Sequence, residues 1–180
     1  MIVSRKLKQE NIAEYLLYMW QVEDLIRAYG LDLERIDKEY ISKFQLDSAE
    51  HAEMREWYGN LIEMMRSEGV AEHGHIQINK NVLIWLTDLH QQLLKSPKFP
   101  FYSAAYYKAL PVIVELRRKA GESEVGELET CFQALYGIML LRLQGKAVSE
   151  DTSKAMTTVS QFIGLLSDYY QKDKEKPLEF

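Results

Sequence analysis

Residues 12–29 read IAEYLLYMWQVEDLIRAY, and the spacing within them decides the fold. Ile12, Tyr15, Met19, Val22, Ile26 and Tyr29 step alternately by three and four, which puts all six on one side of a helix. Leu16, Trp20 and Leu25 widen that side beyond the narrow seam of a coiled coil. Gly30 then offers a left-handed stop. The same stretch carries Glu23, Asp24 and Arg27. Glu23 and Arg27 are four apart in the orientation that suits a surface ion pair, worth a few tenths of a kcal/mol. A helix apolar almost all round can instead force one of these charges inward, and a buried, paired carboxylate is a functional candidate.

The pattern repeats outward from this helix. A shorter helix is predicted over 32–44, with Leu33, Ile36, Tyr40 and Ile41 inward. Asp47 followed by Glu50 is a capping-box start, and Met54, Tyr58, Leu61 and Met65 line the helix that follows, up to Gly69. Residues 70–81 keep no helical period and read as a connection. Asn79 starts the next helix, with Val82, Leu86, Leu89 and Leu93 inward, and Ser96, Pro97 and Pro100 close it. Over 103–120 the inward residues are Tyr106, Leu110, Ile113 and Leu116, with Pro111 as a kink or a division. Glu122, Glu124, Glu127 and Glu129 open a helix that runs to Leu143, and Ser149, Glu150 and Asp151 open the last one. The expectation is an all-α protein: one domain over 1–180, a single antiparallel bundle of six or seven helices, with 1–8 and 172–180 frayed.

Composition agrees with long helices. Nine Gly and four Pro stand among 180 residues, about 7% where average usage gives about 12%. Cys131 is the only cysteine, which removes disulfides and multi-cysteine metal sites, and its apolar neighbours make it a packing residue. The net charge of −5 argues against nucleic acid, whose binders neutralise phosphates. No apolar run reaches the roughly 20 residues of a membrane span, and Glu10 and Glu14 interrupt what would be the core of a secretory signal. A cytoplasmic location is therefore expected. No Gly-rich phosphate loop, nucleophile elbow or His-Glu-x-x-His pair is present, so the sequence leans away from an enzyme and asks for no cofactor.

Three constellations remain. Glu72, His73 and His75 could hold a metal from a loop, although a site needs three or four ligands, and a polar connection facing water is the plainer reading. Glu23, Asp24 and Arg27 form the charge cluster already described. Phe99, Phe101, Tyr102, Tyr106 and Tyr107 gather around Pro97 and Pro100, as an interaction surface or as a loop packed down by its own rings. His51 lies among Glu50, Glu53 and Glu56 and is expected to face solvent. His90 has leucines three and four residues away and is expected at a hydrogen-bonded boundary.

The segment 11–28, with Gly74 to Leu94, Tyr102 to Gly121 and Glu129 to Leu143, resembles a family of small proteins from Bacteroides-type bacteria catalogued as a domain of unknown function. The resemblance implies a bacterial, intracellular, helical protein and carries no activity, cofactor or catalytic residue. The expected role is a non-enzymatic interaction or structural module that binds a protein partner or itself. The alternative is a small-molecule or metal-binding bundle using His73, His75 and a core carboxylate.

Overall fold

The structure, a computed structural model, describes residues 2–121 and 125–180. Among these, eight α-helices and one short 3-10 turn follow in order: α1 (Ile2–Glu10), α2 (Ile12–Ala28), α3 (Leu33–Glu39), the 3-10 turn Ile41–Lys43, α4 (Ser48–Ser67), α5 (Gln77–Lys95), α6 (Pro100–Ala120), α7 (Glu127–Leu143) and α8 (Glu150–Glu175). The protein is all-helical, as the spacing predicts, but the count exceeds six or seven. The added element is α1, in the stretch expected to fray. Its inward positions include the buried Ser4, a small polar residue that a search for apolar spacing passes over.

Contacts group the chain into two units, residues 1–10 with 14–82, and residues 11–13 with 83–180. In the first, α2 buries Tyr15, Leu16, Met19, Trp20, Val22 and Ile26, the face read from the sequence. The α4 residues Met54, Tyr58, Leu61, Ile62 and Met65 are buried as well, and α3 packs against α4. Asp47 accepts from the amides of Ala49 and Glu50 at 2.8 Å each, and the Glu50 carboxylate accepts from Asp47 N–H at 3.1 Å, completing the capping box. Leu31 holds a left-handed φ of 57° directly after Gly30, and its carbonyl accepts from Arg66 at 3.0 Å, which ties that strained turn to α4.

In the second unit α6 packs against α8 and α7, and α7 against α8. Helix α6 runs unbroken through Pro111 from Pro100, whose place at its first turn suits a residue with no N–H to offer. Its buried side is Tyr102, Ala109 and Ile113, whereas Tyr106, Leu110 and Leu116 are half-buried. The face is shifted from the expected one: Ala109, too small to register as a core residue in the sequence, is fully buried. Helix α7 starts at Glu127; the proposed opening residues Glu122 and Glu124 lie outside the described residues. Helix α8 is capped by Ser149, which accepts from Thr152 N–H at 3.2 Å, and buries Met156, Val159, Phe162, Ile163 and Leu166. No helix is long and apolar enough to cross a membrane among the described residues.

Candidate functional site

Two of the sequence constellations meet in the first unit. On α2, the residues that fill the core lie on both flanks of Glu23, and the carboxylate is turned inward with them, 1% exposed. Its Oε1 accepts from the backbone N–H of Ile76 at 3.0 Å and from Asn79 Nδ2 at 2.8 Å. Its Oε2 lies 2.5 Å from Nδ1 of His75. Arg27, one turn on, does not pair with Glu23. It pairs with Asp24 at 2.9 Å and donates to the carbonyls of Val70 and Gly74 at 3.1 and 2.5 Å. One turn of α2 thus holds the connection 70–76 from both sides of its chemistry: the acid takes its N–H groups and the base its C=O groups. A buried helix start needs such partners, because its first amides have none within the helix.

Trp20, a turn before Glu23, stacks on the His75 ring at a centroid distance of 4.2 Å and an interplanar angle of 10°. The spacing reads Trp20 as core and Asn79 as a helix start; neither reading marks them as partners of a histidine more than fifty residues from Glu23. Asn79 is fully buried, and its Oδ1 has no hydrogen-bond partner among the described residues. Burial pushes the Tyr15 hydroxyl above its ordinary pKa of 10, and the nearby Glu23 charge adds to it. Glu72 and His73 are exposed. Among the described residues no three His, Cys, Asp or Glu side chains converge as a metal site.

The aromatic constellation divides. Tyr102 is fully buried, so it is a core residue and not part of an interaction surface. The cause is the shifted face of α6, which points it at Phe162 and Tyr169 with ring centroids 5.7 Å away in each case. Tyr106 is half-buried and donates its hydroxyl proton to Glu127 at 2.9 Å; burial, then that hydrogen bond, push its pKa up to about 12. Phe99 lies against Tyr169 and Phe180. Only Phe101 (82% exposed) and Tyr107 (64%) remain as surface.

His90 is buried, with Nδ1 2.6 Å from the Tyr102 hydroxyl. Burial raises the Tyr102 phenol and lowers His90, with the Glu127 charge opposing the latter in part. The phenol therefore donates and the neutral imidazole accepts. A histidine held neutral by burial makes stability fall with acid. Stability is fully present above the ordinary value of 6.5 and is lost as pH falls from there towards the lower folded value. Thermal melts across pH 7.5 to 5.5 are expected to show this loss, with a slope of at most about 1.4 kcal/mol per pH unit from this group, and a His90→Gln variant should lack its share. Cys131 is buried, its thiol pushed up to about 12 by burial, which fits a packing role. His51, expected in solvent, is half-exposed and sits 2.9 Å from Asp37.

Compared with known protein families, residues 1–177 match one described as a domain of unknown function (DUF4924). No curated protein and no solved structure matches the chain.

Proposed function

We propose, since the chain belongs to the DUF4924 family and that family's description carries no activity, that it is a non-enzymatic helical interaction module that associates with copies of itself through α7. One observation carries this reading. The second half of α7 holds Leu135, Tyr136, Ile138, Met139, Leu140, Leu141 and Leu143 around most of its circumference, and no residue from Gln133 to Leu143 is buried. A helix apolar on every side is ordinarily covered on every side. Between α7 and α8 runs a groove of about 460 Å³, lined by Leu135, Ile138, Met139, Arg142 and Leu143 from α7 and by Met156 with the polar Thr157, Ser160 and Gln161 from α8. Leu143 is exposed and the other apolar α7 residues named are half-buried, and groups of partly exposed apolar residues of this kind mark contact surfaces. A location in the cytoplasm belongs to the same reading and is supported by the lone, packed cysteine.

Light scattering over a wide concentration range is expected to give a mass that rises from monomer to dimer. Leu143→Glu, at an exposed position, should leave the helical content intact and, together with Leu135→Glu in the half-buried wall of the groove, return the protein to monomer. A stable dimer buries at least about 1,200 Å², so a charge set into its centre has a large effect. A mass that stays monomeric at every concentration overturns self-association.

A further inference from the structure

The outward face of α6 carries a second pattern, separate from the one that packs it. Ala104, Tyr107, Pro111, Val114 and Arg118 step alternately by three and four, and all five are exposed. That spacing lays them along one side of the helix, as the seam between two paired helices requires. The buried Tyr102, Ala109 and Ile113 lie on the opposite side. The outer face of a packed helix is ordinarily polar. This one shows solvent a tyrosine and a valine seven residues apart, with the exposed Phe101 three residues before Ala104.

Charge says what fits there. Lys108, Arg117, Arg118 and Lys119 against Glu115 give α6 a net charge of +3, in a chain whose total is −5. Glu115 is taken by Lys119 at 2.7 Å. Lys108, Arg117 and Arg118 make no hydrogen bond or ion pair among the described residues. Arg118 continues the seam itself, while Lys108 and Arg117 flank it, where charges set which helix pairs with which. A cation in a seam is costly to cover unless the partner sets an acid against it.

We infer that α6 docks an acidic amphipathic helix of another protein along Ala104, Tyr107, Pro111, Val114 and Arg118. Apolar residues of that helix cover Tyr107 and Val114, and its carboxylates pair with Arg118, Lys108 and Arg117. Other covers match the face less well. Two copies of it would set +3 against +3. A lipid surface suits cations ranged on the polar side of an amphipathic helix, not one within the apolar seam. Nucleic acid asks for a run of cations, and here Pro111 and Val114 stand between Lys108 and Arg118. None of these residues is in α7, so the self-association proposed for that helix stands or falls separately.

The test uses the full chain and a labelled synthetic peptide of about three heptads, with leucine at the seam positions and glutamate on both flanks, whose like charges oppose its own pairing. Fluorescence anisotropy should show saturable binding of one peptide per chain, weakened at least about tenfold when salt rises from about 0.05 to 0.5 M. Lys108→Glu/Arg118→Glu and, separately, Tyr107→Ser/Val114→Ser should each weaken it at least about tenfold with helical content unchanged. Leu143→Glu on α7 should leave it unaltered. The same peptide with lysine on its flanks, a scrambled glutamate peptide, and vesicles of phosphatidylglycerol with phosphatidylcholine should not bind. Absence of saturable binding, equal binding of the lysine or scrambled peptide, or binding indifferent to the α6 substitutions each overturns the proposal. So does retention on the vesicles that the same substitutions abolish, which would assign the face to a lipid surface instead.

Discussion

Replacing Glu23 by alanine is expected to lower the stability of the unit containing α2 and α4 by about 3–5 kcal/mol, the usual cost of removing one member of a buried, hydrogen-bonded pair. The carboxylate serves three donors at once: Ile76 N–H, Asn79 Nδ2 and His75 Nδ1. Without it, the first two are left in a site closed to solvent, and each stranded donor costs roughly 1–3 kcal/mol. Native-state hydrogen exchange should place the damage: the amides of residues 75–80 lose protection first, before the α4 core. Asp24→Ala makes the contrast, since Asp24 is about half-exposed and its pair with Arg27 lies at the surface; a loss of up to about 1 kcal/mol is expected there. Equal losses for the two variants would contradict the assignment of Glu23 as the anchor of the connection.

Phe162→Ala should cost the second unit a similar amount, about 3–5 kcal/mol. Phe162 is 1% exposed and sits with its ring 5.7 Å from each of Tyr102, Tyr106 and His90. Its removal opens a cavity where α8 meets α6, and a urea midpoint read by tyrosine fluorescence would register it. Tyr102→Phe separates packing from polarity at the same place. It keeps the ring and deletes only the proton given to His90 Nδ1, so a loss of about 1–2 kcal/mol is expected from the acceptor left buried. A Tyr102→Phe effect as large as that of Phe162→Ala would mean that the hydrogen bond, not the ring packing, holds the unit together.

Much of the fold is legible in the sequence because it lies in local spacing. The inward faces of α2, α4, α5 and α8 follow from the alternation of threes and fours, and the Asp47–Glu50 box from a pattern four residues long. Three things escape this reading. Helix α1 turns a serine inward, and α6 buries Ala109 while Leu110 and Leu116 stay half-buried, because close packing rewards small residues that hydropathy ignores, and the buried Tyr102 lies one residue before the stretch read as that helix. The third is the site. Glu23 and His75 are each singled out by chemistry, one as a charge on an apolar helix and the other as part of Glu-His-Gly-His. Their meeting depends on where a connection of irregular backbone folds back, and no periodicity encodes that. Arg27 shows the same limit: four residues from Glu23, it suits a pair with that acid, yet it bonds the carbonyls of Val70 and Gly74, which no side-chain pattern announces.

Pro111 limits which molecules can lie along the outer side of α6. Proline has no N–H for the carbonyl of Tyr107, one turn back, so that oxygen leaves the helix ladder unserved. Both residues are on the exposed side, where water can reach the oxygen. Tyr107, Pro111 and Val114 together look like an oily stripe, but a purely oily partner laid over them would strip that water and give nothing back. A molecule that docks there and brings a proton to share avoids a cost of about 1–3 kcal/mol. The stripe in this sense discriminates by hydration: an all-oily cover is disfavoured against a surface that can stand in for the solvent it displaces.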